Sequence, residues 1–281
     1  MDVREFFVRL VRYVILVLWG AAAFAGTIDP NTPDEKYLEF GKQFPFVMRI
    51  RAVELKPVDP KSVVTWHASA VLIQPHWVLT AAHVLDGVAA PTILDNAKPA
   101  KEYPLTYTVV HSLFNADKNG YYDIALGYSE KDFGLDFYPE LNTDTDEVGK
   151  TVTLAGFGFH GTFRTGLSVS DGKRRAGSNK ISSLERSVLV CDPSQKNRTA
   201  LEFLITPGDS GGGLFIGNKL AGIHSFLMAK DGKPNGTYTD ESAHTRISLY
   251  ADWVNSQIAQ YEKARQARAT MGDTPLLDVV Q

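Results

Sequence analysis

The stretch Gly208-Asp209-Ser210-Gly211-Gly212-Gly213-Leu214-Phe215-Ile216 decides how this chain is read. Glycines frame a single serine and then give way to an apolar run, GGLFI (212 to 216), of strand character. A serine hydroxyl is a poor nucleophile unless a neighbouring base removes its proton. A reaction through a tetrahedral oxyanion also needs donors at fixed positions, and glycines allow the backbone to aim N–H groups inward. The donors in this motif would be the amides of Gly208 and Ser210. Alone, the motif also reads as a polar turn between strands, so its meaning rests on partners upstream.

The first candidate partner is His83, in Thr80-Ala81-Ala82-His83, at the end of an apolar strand that begins at Trp77. It is the one histidine of seven with this Ala-Ala setting. The second is Asp123, in Tyr121-Tyr122-Asp123-Ile124-Ala125-Leu126. An aspartate opening an apolar strand is partly buried, and a buried carboxylate needs a strong donor such as an imidazole N–H. Asp95, Asp117 and Asp132 compete, but each lies in a polar turn context.

Working outward, short apolar runs recur between turn residues. FVMRIRAV (46 to 53), SAVLI (69 to 73), WVLTAA (77 to 82), TYTVV (106 to 110) and DIALGY (123 to 128) are strand-like. So are TVTLAGFG (151 to 158), SVLVC (187 to 191) and KLAGIHSF (219 to 226). Strands of this length without intervening helical patterns predict an all-β sandwich or barrel. The acidic stretch 130 to 150 reads as a connection between two β units. Tyr250 to Ala269 reads as one helix, with Trp253, Val254, Ile258 and Tyr261 at three- and four-residue spacing, followed by a tail over 270–281.

The order His83, Asp123, Ser210 is that of chymotrypsin, and differs from subtilisin and the α/β-hydrolases. TAAH, DIAL and GDSGGG together resemble the trypsin-like (chymotrypsin-type) serine protease family. Val152 to Gly158 (VTLAGFG) and His244 to Val254 (HTRISLYADWV) are similar to further segments of that family. The resemblance implies two six-stranded antiparallel β-barrels with a C-terminal α-helix, over about 44–256. Barrel 1 would span about 44–130 and barrel 2 about 148–248, with the catalytic groups in the cleft between them. It implies a serine endopeptidase acting through an acyl-enzyme, with Ser210 as nucleophile, His83 as general base and Asp123 as its orienting acid. It implies no metal or cofactor, and a protein or peptide as substrate. Ser225 matches the family serine that bonds the triad aspartate and begins the substrate-pairing strand.

Three departures from the family pattern matter. Leu204 stands where the floor of the primary specificity pocket falls, so cleavage after Arg or Lys is not expected. His224, before Ser225, stands where a glutamate-specific branch uses a histidine. It is read either as part of an acid-binding pocket or as a core histidine, and Leu227 replaces a small residue at the pocket wall. Lastly, no Ile-Val-Gly-Gly-like segment precedes Phe44, so the amine that pairs with the aspartate before the nucleophile, here Asp209, has no evident source. A terminus at Gly26 is not assumed to reach it.

The 281 residues carry 44% hydrophobic and 22% charged side chains and a net charge of −3, which does not point to nucleic acid. The run Lys173-Arg174-Arg175 is expected to be a solvated loop. The single cysteine, Cys191, cannot form an internal disulfide and is expected to be a buried thiol. At the N-terminus Arg4, Arg9 and Arg12 precede an apolar segment from Tyr13, and Ala23-Phe24-Ala25 fits a signal-peptidase site with cleavage before Gly26. Residues 1–25 therefore read as a signal peptide, with 26–43 as a linker or N-terminal arm. An uncleaved anchor over 13–28 is the alternative, and it would be the chain's one contact with a membrane. The expected setting is a secreted or periplasmic bacterial monomer. A protease-fold binding or adhesion module with little or no catalysis is the alternative function.

Overall fold

The structure, a computed structural model, describes residues 26–55, 63–116, 121–169, 171–193 and 198–271. The expected signal peptide, Asp117 and most of the expected tail lie outside the described residues. The described residues begin with strand β1 (Thr27–Ile28) and helix α1 (Asp34–Gly41), where a linker or N-terminal arm was expected. Pro33 ahead of α1 and the acids Asp34 and Glu35 in its first turn suit a helix start.

The N-terminal unit is a seven-stranded antiparallel sheet. Its strands are β2 (Val47–Leu55), β3 (Val63–Gln74), β4 (Trp77–Thr80), β5 (Ala89–Leu94), β6 (Glu102–Pro104), β7 (Tyr107–Val110) and β8 (Ala125–Tyr128), in the order β6-β5-β2-β3-β4-β8-β7. The four-residue helix α2 (Ala82–Leu85) follows β4. Strand β2 alternates: Met48, Ile50 and Ala52 are buried while Arg49, Arg51 and Val53 are half-exposed, the period of a sheet with one covered face. The end strands β6 and β7 do not pair among the described residues, so this unit is a half-barrel.

The second unit closes. It comprises β9 (Glu140–Leu141), β10 (Thr151–Gly156), β13 (Arg175–Glu185), β14 (Val188–Cys191), β16 (Gly213–Ile216), β17 (Lys219–Ala229) and β18 (Asp240–Arg246). The order β16-β10-β13-β14-β18-β17, with β16 paired back to β17, makes a closed six-stranded barrel, and β9 adds to its edge. A smaller sheet sets β1 between β11 (His160–Thr162) and β15 (Phe203–Leu204), with β12 (Gly166–Val169) outermost.

One core runs through both units. Phe44 and Phe46 of the N-terminal part meet Phe215 of β16, each pair of rings 5.4 Å apart. The stretch 130–150 is held to the barrel by buried Glu147, which accepts from Arg246 Nη2 at 2.7 Å and Nε at 2.9 Å. Helix α3 (Ala251–Met271) lays Tyr261 among Trp77, Tyr107 and Tyr128. Cys191 is buried and free, and burial pushes its thiol pKa up. The run 173–175 departs from expectation. Arg174 donates to the carbonyls of Gly41 and Val47, and Arg175, 1% exposed, holds Asp34 and Asp171 in bidentate pairs. The run faces inward because α1 packs against β13, and only Lys173 stays exposed.

Candidate active site

His83 lies in the one-turn helix after β4, and Asp123 lies just before β8, the strand that pairs with β4. The two residues therefore meet at the same end of neighbouring strands. His83 Nδ1–H donates to Asp123 Oδ2 at 2.8 Å, and the His83 backbone N–H donates to Oδ1 at 2.9 Å. Ser225 Oγ donates to the same Oδ2, and Thr245 Oγ1 donates to the Asp123 carbonyl at 2.9 Å. Tyr122, in the left-handed region at φ 55°, turns the chain, and Ile124 N–H closes back on the Tyr122 carbonyl at 2.8 Å. Residues held in that region cost free energy and gather at functional sites.

The electrostatics follow from this geometry. Burial works to raise the Asp123 pKa, but His83 and the donors from His83 and Ser225 outweigh it and hold the carboxylate below its ordinary value. Burial would lower the His83 pKa, yet the charge and hydrogen bond of Asp123 leave it raised. The His83 side chain is 38% exposed and that of Asp123 4%, so the imidazole reaches solvent while its partner does not.

Ser210 is half-buried, and Ser69 N–H of β3 donates to its carbonyl at 2.9 Å. Ser69 Oγ donates to the Gly208 carbonyl at 2.9 Å and accepts from Phe157 N–H at 3.0 Å. Gly211 packs against Thr80, three residues before His83, and its N–H donates to the His224 carbonyl at 2.8 Å. The N–H groups of Asp209, Gly211 and Gly212 are all bonded internally. Those of Gly208 and Ser210 have no acceptor among the described residues, and Gly208 turns the chain there at φ 93°. Unspent donors next to a serine are the kind of group that stabilising an oxyanion requires.

The partner of Asp209 is found at the start of the described chain. Its Oδ2 accepts from Gly26 N–H at 3.0 Å, Thr206 N–H at 2.9 Å and Thr206 Oγ1 at 3.1 Å, and its Oδ1 from Gly158 N–H at 2.7 Å. Gly26 thus does reach Asp209, because β1 threads between β11 and β15. Burial outweighs these neutral amide and hydroxyl donors and leaves Asp209 raised to about 7.

The four candidate specificity residues separate. Ser225 joins Asp123. Leu204 is fully buried opposite Thr27, and Leu227 is half-buried opposite Ser242. His224 is fully buried, its Nδ1 lies 2.9 Å from His244 Nδ1, and its Nε2 has no hydrogen-bond partner among the described residues. Burial and then His244 push its pKa well below 6.5. His224 is thus held neutral in a buried histidine pair, which favours its reading as a core histidine. The contacts made by Ser69, Thr206, Tyr122, His244 and Gly26 are not announced by any local motif, because only long-range pairing brings these residues here.

The sequence profile of the trypsin family matches residues 49–254. The chain belongs to the trypsin family. A chymotrypsin of Phaedon cochleariae is 24% identical, covering 88% of this chain and 97% of that protein. A brachyurin of Leptuca pugilator is 26% identical, covering 66% and 85%. Among solved structures, neuropsin, a serine protease of mouse brain, matches with TM-score 0.58 at 19% identity, over 76% of this chain and 95% of its own. The HL collagenase matches with TM-score 0.59 at 18% identity, over 77% and 94%. At such identities the solved structures speak for the trypsin-family fold, and the profile speaks for membership.

Proposed function

We propose that this trypsin-family chain is a serine endopeptidase acting through an acyl-enzyme. Ser210 Oγ attacks the scissile carbonyl, and His83 Nε2 takes its proton. Asp123 holds the imidazole with Nδ1 protonated and stabilises the imidazolium that forms. The N–H groups of Gly208 and Ser210 receive the oxyanion. His83 then protonates the leaving amine, and water, activated by the same base, releases the acid. What supports this reading is the bonded His83–Asp123 pair together with the two unspent N–H donors, at Gly208 and Ser210, in the loop that carries the serine.

The substrate is a protein or peptide. With Leu204 in place of an acid, cleavage after Arg or Lys is not favoured. The chain is exported, and removal of residues 1–25 would replace the Gly26 amide by an ammonium at 3.0 Å from Asp209, an ion pair in place of a neutral contact. A fluorophosphonate probe tests the reading. It is expected to label the folded protein rapidly and to leave Ser210→Ala unlabelled. A folded protein released at Gly26 that resists the probe would overturn it in favour of a protease-fold binding module.

A further inference from the structure

Register places a row of basic groups beside the nucleophile loop. Arg49 lies opposite Ser69 and Arg51 opposite His67 across β2 and β3. Directly opposed residues and those two apart share a face, so Arg49, Arg51, His67 and Ser69 form one patch. Ser69 bonds the backbone of both Ser210 and Gly208, so the row starts at the reactive serine and runs outward.

Within that row Arg49 is the group left unsatisfied. It is half-buried, its Nε is shielded from solvent without a hydrogen-bond partner, and no carboxylate lies within ion-pair distance among the described residues. Its neighbours are spent: Arg51 binds Glu102 at 2.9 and 3.0 Å, Lys173 and Arg175 share Asp171, and Arg175 also holds Asp34. Gly172 backs the guanidinium closely; a Cβ added there would stand 3.0 Å from Nη1. A half-buried guanidinium whose shielded Nε has no acceptor is costly, and a carboxylate is the group that best relieves it. Burial also lowers the Arg49 pKa, as an unpaired cation requires.

The side of the scissile bond follows from the two contacts of the Ser210 loop. On one side Gly211 meets His224, which leads into Ser225, where the family resemblance implies the strand that pairs with the acyl part of the substrate. On the other, Ser69 meets Ser210. The Arg49 row therefore borders the leaving-group part.

We propose that Arg49, flanked by His67 and Arg51, binds an acidic side chain of the substrate one or two residues after the scissile bond. This rests on the peptidase reading above. The test uses paired fluorogenic peptides that differ only by Glu against Gln at those two positions. The wild-type protein is expected to favour the Glu peptide by about tenfold in kcat/KM, the worth of one charge-assisted hydrogen bond. The preference shrinks with added salt, falls to near unity in Arg49→Gln, and persists in part in Arg49→Lys, with thermal melts reporting whether each variant folds. Binding of the same peptides to Ser210→Ala gives the ratio without turnover, so a failure of catalysis and a failure of the acidic site are told apart. A wild-type ratio near one in both assays, or a preference unchanged in a folded Arg49→Gln, overturns the proposal.

Discussion

At the scale of single residues, the proposed reaction needs a neutral His83 to accept the Ser210 proton, and Asp123 holds its pKa above the ordinary 6.5. The acid limb of kcat/KM is therefore expected above pH 6.5, with activity lost as pH falls through it. Asp123→Asn removes the charge that raises the imidazole and reverses its preferred tautomer. The limb should move down, and the rate should drop by about 10⁴-fold, the loss known for that change in a Ser-His-Asp triad. A pH profile of both proteins checks this, and an unmoved limb would remove Asp123 from the role. The candidates His83, Asp123 and Ser210 were legible because each sits in a short motif with its own local logic. Ser69 and Tyr122 were not, since their roles arise from a cross-sheet hydrogen bond and a backbone twist that no local pattern announces.

At the scale of elements, the strands were legible from apolar runs broken by turn residues. Strand β1 and helix α1 were hidden in a Pro- and Asp-rich stretch, because their partners β11, β15 and β13 come more than a hundred residues later. The basic run 173–175 misled for the same reason. Charge in a line suggests water, but Arg175 is buried because Asp34 and Asp171 meet it there, and it in turn helps hold Asp171 down to about 2 against the effect of burial. Removing one member of a buried pair leaves the others uncompensated. Arg175→Ala is expected to cost about 3 kcal/mol in urea unfolding. Arg175→Lys should recover only part, since an ammonium cannot serve two carboxylates in bidentate fashion. A change under about 0.5 kcal/mol, typical of a surface position, would contradict the clamp.

At the scale of the whole molecule, the first described residue closes the site. With an amide at Gly26, Asp209 is raised to about 7 from the ordinary 3.8. A raised carboxyl stabilises the fold below its ordinary pKa and loses that contribution as pH rises through about 7. An ammonium at Gly26 favours the charged carboxylate and removes the loss. Protein beginning at Gly26 should therefore melt at a higher temperature at pH 8 than the same protein carrying one extra residue ahead of it, with the gap narrowing towards pH 5. Equal melting at both pH values would deny the ion pair.

Ser69 belongs to the half-barrel, yet it grips the loop that carries Ser210 in the closed barrel. Neither half of the chain contains that loop in its working shape by itself. Severed within 130–150, the two pieces would each be inert, and whatever chemistry the protein performs would return only on their reunion.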